Sequence, residues 1–301
     1  MKIVKYRKIF YIISGILVLA SIASISIWGL NLGIDFKGGS LLEISYTGTR
    51  PEIGVIKDAL KNLNLGDFSV RTTRDTGYIV RAREISQPEK VQVLNALAIG
   101  GQKITEERFD SIGPVLGKEA ASKSVTSIIL VMLAIVLFIT FAFRKVSEPV
   151  SSWKYGLVAV LALVHDVLIP TGVFAILGHF KGVEVDTLFV TAILVVLGFS
   201  VHDTIVVFDR VRENLRRLKE SNGRKDFETV VGESVSQTFT RSINTSLTTL
   251  LALIVLYFVG GEATKLFSLA LIIGVVVGTY SSIFIGSPLL VTLERLKNRR
   301  K

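Results

Sequence analysis

The chain has 301 residues, half of them hydrophobic, with a mean hydropathy of +0.54 and a formal net charge of +10. The apolar residues fall in long blocks with basic residues clustered at the block ends, which fits membrane sidedness rather than a nucleic-acid surface. No cysteine is present, which excludes disulfides, thiolate ligands and cysteine nucleophiles, and the three histidines (positions 165, 179 and 202) show no metal-ligand spacing.

A bilayer core needs about 20 apolar residues as helix, and six stretches qualify. The first covers 9–30. It follows the basic start Lys2, Lys5, Arg7 and Lys8, and its apolar run continues past the small residues Ala20 and Ala23. A retained anchor is therefore expected rather than a cleaved signal peptide. "GIDFKGG" (33–39) comes next. It lacks the G-x-x-x-x-G-K-[ST] pattern and is read as a tight exit from a membrane helix into a strand, not as a phosphate cradle.

Residues 31–123 are expected to form a small soluble domain. "SLLEISYTG" reads as a strand, and "PEIGVIKDALKNL" has a proline start and helical apolar spacing. "DFSVRTT" and "GYIVRAR" alternate around a short Asp-Thr-Gly turn, which predicts a hairpin. "SQPEKVQVLNALAIG" reads as a helix capped near Ser86 and stopped by Gly100 and Gly101, and "KITEERFDSI" as a last strand. The order βαββαβ predicts a ferredoxin-like α+β sandwich.

Five further spans are expected at 124–143, 155–178, 187–208, 242–261 and 266–293, with Pro170 and Pro288 as kink points in the third and sixth. The charged stretch 209–220 reads as a solvated or lipid-surface helix, opening a basic cytoplasmic loop over 209–241. Residues 294–301 form a basic tail. Lysine and arginine number twenty on the side of both termini against two, Lys181 and Lys265, in the short opposite loops. That asymmetry places both termini in the cytoplasm and residues 31–123 outside. The expected fold is thus a six-helix polytopic membrane protein, with a half-bundle at 124–293 and an extracytoplasmic domain between helices 1 and 2.

Two carboxylates interrupt the apolar blocks. Asp166 lies near the middle of the third span, beside His165, which falls on a different helical face. Asp203 lies roughly 8 Å from the midplane of the fourth, counted at about 1.5 Å per residue, with His202 beside it. An aspartate at helix centre costs about 2.5–3.5 kcal/mol on insertion scales, so each requires compensation. One source is the fifth span, where Arg241, Asn244, Thr245 and Thr248 fall at i, i+3, i+4 and i+7 and form a polar stripe. Arg241 is expected to meet Asp203, because both lie toward the cytoplasmic end. The opposing reading makes Arg241 a snorkelling anchor and the stripe ordinary interhelical glue. A carboxylate between burial and a guanidinium can load and release a proton as helices shift.

These pieces resemble the SecF family, the smaller membrane subunits of the bacterial SecD–SecF export complex, within the RND superfamily. The resemblance rests on "GIDFKGG", "FDSIGPVLGKE", the "HD" at His165 and Asp166, "GFSVHDTIVVFDRVREN" and "SQTFTRSINTSLTTLL", in family order over nearly the whole chain. It implies an auxiliary subunit of the Sec translocase that works with SecD and uses a proton or sodium gradient to promote export. The family's key carboxylate falls on Asp203 and its key arginine on Arg241. His202, Asp166, Asn244, Thr245 and Thr248 are accessory or packing candidates. The family more often has asparagine at the position of His202. The implied partners are SecD, the SecYEG channel, YajC, YidC, unfolded polypeptide in transit and membrane lipid, with no nucleic acid, metal or organic cofactor. The competing readings are an RND-type small-molecule exporter half, an uncoupled structural subunit, and an intramembrane aspartyl protease with Asp166 and Asp203 as its dyad. The protease reading is disfavoured by their separation in depth and by the lack of a G-x-G-D motif.

Overall fold

The computed structural model describes residues 2–144 and 151–298; Lys145 and the tail residues Arg299, Arg300 and Lys301, counted above among the basic clusters, lie outside the described residues. The chain divides into two compact units, Leu32–Val125 and the pair of segments Met1–Asn31 and Thr126–Lys301.

In the first unit a single helical turn, α3 (Ile34–Lys37), stands inside the glycine motif and was not foreseen from it. Strand β1 (Gly39–Tyr46) follows at once. Helix α4 (Ile53–Lys61) leads to the hairpin of β2 (Ser69–Thr73) and β3 (Gly77–Ala82). Helix α5 (Gln87–Leu97) and β4 (Ile104–Ile112) complete the βαββαβ order. The sheet runs β2-β3-β1-β4 with every neighbouring pair antiparallel, which is the ferredoxin-like topology. Alternate residues of β1 and β3, among them Leu42, Ile44, Tyr78 and Val80, are buried with Ile56 and Leu60 of α4 and Val93 and Leu97 of α5. A Ser86–Glu89 capping box fixes the start of α5, where the Ser86 amide donates to Glu89 Oε2 at 2.7 Å.

The glycines of the motif have a steric cause. Gly38 adopts φ 77° and ψ 174°, a combination open essentially to glycine alone. A Cβ on it would stand 2.7 Å from Pro114 Cα. One on Gly39 would stand 2.7 Å from the Ala82 carbonyl oxygen. The motif is a close backbone crossing at the entrance to β1.

In the second unit a short α1 (Lys2–Lys5) precedes α2 (Arg7–Trp28). Then come α6 (Pro114–Ala142, whose first turns belong to the other unit), α7 (Ser152–Lys181), α8 (Thr187–Glu220) and α9 (Phe227–Val259). The last span is α10 (Glu262–Ser281), a π-helical turn (Ser282–Gly286) and α11 (Ser287–Asn298). Among the described residues six helices are long and apolar enough to cross a membrane. α7, α8 and the last span bury half or more of their most apolar window, whereas α2, α6 and α9 leave most of theirs exposed.

Two boundaries differ from the hydropathy reading. The charged residues 209–220 form no separate surface helix but continue α8 without a break. α9 begins fifteen residues before the apolar block, at Phe227, where Asp226 accepts from the Thr229 amide at 3.2 Å. These extensions pack as a helical pair: Val207, Phe208 and Val211 of α8 share one core with Phe227, Val231 and Val235 of α9. The basic loop is therefore mostly helix, with only a short turn between. The ends of α2, α9 and α11 are held together by Glu228, which pairs with Arg7 at 3.2 Å and with Arg295. α7 runs through Pro170 as one helix. In the last span the break comes ahead of Pro288, as the π turn. A proline at 288 has no amide to give to residue 284, so the regular ladder cannot close there.

Candidate functional site

Asp203, on α8, is 5 % exposed. Its Oδ1 accepts from Ser242 Oγ of α9 at 2.6 Å, and its Oδ2 from Ser282 Oγ, the first residue of the π turn, at 3.0 Å. Asp166, on α7, is fully buried. Its Oδ2 accepts from Ser281 Oγ at 2.7 Å and from Ser200 Oγ of α8, and its Oδ1 faces His165 Nδ1 at 2.8 Å. Ser246 and Thr279 close the polar patch, hydroxyl to hydroxyl, at 2.5 Å. Two buried carboxylates are thus held by four serines and one imidazole, drawn from four of the six spans.

Close helix contact makes this arrangement reachable. Serine hydroxyls are short, so their backbones must approach. A Cβ on Gly278 would stand 3.1 Å from Ser200 Cβ, so glycine lets α10 lie against α8 at the level of the site. Ser234, Thr238, Ser242 and Ser246 recur every fourth residue of α9, and all are buried.

Several sequence expectations are corrected. Arg241 does not meet Asp203; it is exposed, one residue before Ser242 and therefore about 100° around the helix from it. Asn244, Thr245 and Thr248 are exposed with it, and the Thr248 hydroxyl donates back to the Asn244 carbonyl at 3.0 Å. The stripe exists, but it faces out of this bundle. His202 is also exposed. His165, about 100° from Asp166 around the helix, is nonetheless bonded to it, because an imidazole is long enough to reach across its own helix surface to the next residue. The depth difference between the carboxylates is also smaller than counted. Ser200 serves Asp166 three residues before Asp203 on the same helix, a rise of about 4.5 Å. Their other ligands, Ser281 and Ser282, are consecutive. Ser200, Ser242, Ser281 and Ser282 were not singled out from sequence; the four-residue spacing of hydroxyls on α9 was the available signal.

Chemically the site offers carboxylate and hydroxyl oxygens. Such a donor set can hold a proton on a carboxylate or a hard cation among oxygens. Among the described residues no group of three or more His, Cys, Asp or Glu side chains has metal-binding geometry.

Comparisons with known proteins agree with this architecture. Residues 92–296 match the family model for the protein export membrane protein SecD/SecF, C-terminal, and residues 24–49 match the SecD/SecF GG motif. A protein translocase subunit SecF from Thermobaculum terrenum is 44% identical over 97% of this chain and 93% of its own length. Another from Anaerolinea thermophila is 38% identical over 96% and 92%. Among solved structures, SecDF from Thermus thermophilus, described as a translocon-associated membrane protein, superposes with a TM-score of 0.84 at 28% identity over 98% of this chain. A second SecDF structure, in the super-membrane-facing form, gives 0.67 at 27% identity over the whole chain. The chain spans 39% of the length of each of these SecDF chains.

Proposed function

The chain belongs to the SecD/SecF family of protein-export membrane proteins, and from that premise we propose that it is the SecF half of a gradient-driven export device in which Asp203 loads and releases the coupling ion. It is a multi-pass membrane protein and an auxiliary subunit of the Sec translocase. It pairs with SecD, which supplies the rest of a SecDF-type assembly.

The observation that carries the ion reading is the burial of Asp203 among hydroxyl donors alone. A bundle that only needed packing would avoid a carboxylate costing about 2.5–3.5 kcal/mol at mid-helix. A proton crossing the membrane yields about 2.3 kcal/mol per 100 mV, enough to shift a helix equilibrium roughly fiftyfold. Arg241 acts from a neighbouring face of α9, about 100° from that of Ser242. An arginine with an amide and two hydroxyls, exposed together on a membrane helix, is costly against lipid and suits a second half-bundle. SecD is the occupant of that face. The excess of lysine and arginine near both termini supports a cytoplasmic location for them and an exterior one for residues 31–123. In that position the ferredoxin-like unit meets polypeptide emerging from SecYEG, while YajC, YidC and lipid contact the assembly at its margins. The work is done by binding and protonation, without covalent chemistry. The coupling ion is H⁺ or Na⁺, both of which suit these oxygens.

Vesicles reconstituted with the Sec channel, SecD and this chain test the reading. Asp203→Asn and Arg241→Met are expected to assemble with SecD and lose gradient-stimulated export. Imposing H⁺ and Na⁺ gradients separately identifies the ion. Normal stimulation in Asp203→Asn vesicles refutes the proposal.

A further inference from the structure

The second carboxylate has a geometry that packing does not require. Asp166 is fully buried and is served by Ser281, whose neighbour Ser282 serves Asp203. Both serines also lie within hydrogen-bond reach of one backbone acceptor, the Gly278 carbonyl, at 3.1 Å for Ser281 and 2.5 Å for Ser282. A hydroxyl has one hydrogen, so each serine donates either to its carboxylate or to Gly278. The junction sits where α10 gives way to the π turn, a register irregularity of the kind that recurs at functional sites.

His165 is the independent observation. It is 5 % exposed, its Nδ1 is bonded to Asp166, and its Nε2 is buried with no hydrogen-bond partner among the described residues. With Nδ1–H donating to the carboxylate, Nε2 presents a lone pair with nothing to accept. A proton added at Nε2 converts the neutral ring beside the Asp166 carboxylate into an imidazolium–carboxylate pair, and the adjacent carboxylate favours that charged form.

We propose that His165 and Asp166 form a second proton-loading site, coupled to Asp203 through Ser281 and Ser282. This rests on the reading of Asp203 as the ion-loading group. At the first site a hydronium ion of the aqueous phase gives up a proton, its O–H bond breaking as an O–H bond forms on the Asp203 carboxylate and water leaves. That O–H then donates to Ser282 Oγ, and the Ser282 hydrogen turns to Gly278. At the second site a proton from hydronium forms an N–H bond at His165 Nε2, again leaving water. Loading at Asp203 changes the demand on Gly278 and so the orientation of Ser281 toward Asp166, which couples the two sites. The elements packed on α7 bring few other titratable groups to this level. From α8 there is Asp203, with His202 exposed. From α10 there is Tyr280, whose hydroxyl is engaged with the Phe10 carbonyl and Ser14. Arg7, Lys8 and Tyr11 lie in the first turns of α2, Lys265 near the start of α10, and Glu294 and Arg295 in the second half of α11. Arg241 of α9 is exposed.

The test uses the reconstituted complex with SecD, read by pH-difference infrared spectroscopy and by gradient-driven export. Wild type is expected to show an imidazole titration that shifts when Asp203→Asn is introduced. Ser281→Ala with Ser282→Ala is expected to abolish that shift and to cut gradient-driven export at least tenfold while the complex still assembles. Threonine at both positions restores the hydroxyls and the coupling. Asp166→Asn is expected to remove the imidazole titration from the pH range in which export runs. The proposal is overturned if the imidazole band does not titrate, if it ignores Asp203→Asn, or if the double alanine variant exports as wild type does. Retention of export by Asp203→Asn would instead overturn the underlying reading, so the two failures are told apart.

Discussion

Gly38→Ala is expected to damage the ferredoxin-like unit far more than Gly66→Ala does. The alanine must adopt φ 77° with ψ 174°, which costs about 1–3 kcal/mol for a residue with a Cβ. Its methyl would also stand 2.7 Å from Pro114 Cα and 2.9 Å from Pro114 N, backbone atoms at the start of α6 that no rotamer change can move. Overpacking of this kind costs about 1–3 kcal/mol. Nor can α6 retreat easily, because Gly117 in the same turn already holds its own Cα against the Phe36–Gly38 backbone; a Cβ there would meet Gly38 N at 2.8 Å. The sum is about 2–6 kcal/mol, which for a unit of roughly 100 residues lowers the unfolding midpoint by at least about 8 °C. Gly66→Ala is the control: it also has positive φ (65°), but its nearest neighbour is Arg83 Cβ at 3.7 Å, so only the conformational cost of about 1 kcal/mol applies. The assay is thermal proteolysis of the intact protein, scored by cleavage within residues 32–125. A Gly38→Ala midpoint no lower than that of Gly66→Ala would refute the steric account and reopen a ligand-binding role for the motif.

Two further changes probe the same unit through pH. The Arg83 side chain first, and the Ser86 amide and hydroxyl after it, hold Glu89 down to about 2, below its ordinary value. The stability this contributes is full above about pH 4.5 and is lost as pH falls through about 2; Glu89→Gln is expected to flatten the unfolding midpoint across that window, measured by the same proteolysis. Burial, and secondarily Tyr78, pushes the Tyr46 phenol up to about 12, and its hydroxyl donates to the Leu97 carbonyl at 2.7 Å. Its contribution is full below pH 10 and is lost as pH rises through about 12, so Tyr46→Phe is expected to remove that alkaline dependence and to cost about 1–3 kcal/mol at neutral pH for the carbonyl left unpaired.

What the sequence disclosed follows from which forces leave a periodic trace. The six apolar blocks and the βαββαβ alternation are direct consequences of burial, and the structure has both. The extension of α8 and α9 beyond the apolar blocks left no hydropathy signal, because a helix pair needs only a narrow apolar seam such as Val207, Val211, Val231 and Val235. The π turn was invisible: a proline at 288 announces an interruption but not its form. At the site the carboxylates stood out because charge is conspicuous in an apolar run. Their ligands did not, because serine is nearly neutral on a hydropathy scale and occurs in any membrane helix. Arg241 drew attention away from its neighbour. One residue, about 100° of rotation, separates the side chain that faces Asp203 from the one that faces outward.

That rotation also explains why the chain makes sense as half of a device. α9 carries two polar stripes. The inner one, Thr238, Ser242 and Ser246, is buried and ends on Asp203. The outer one, Arg241, Asn244, Thr245 and Thr248, is exposed. A helix polar on two sides is poorly suited to sit between a bundle and lipid, and well suited to sit between two bundles. Ser242 is next to Arg241, so any rotation of α9 that changes the outer contact also changes the bond to Asp203. On the proposed ion loading at Asp203, that loading and the contact made by Arg241 are linked through one rigid element, and by reciprocity whatever holds Arg241 would alter the affinity of Asp203 for its ion. A measured ion affinity at Asp203 that is the same with and without the partner half would break that link. Arg241→Met should abolish the partner's effect on it while leaving the inner serine bonds in place.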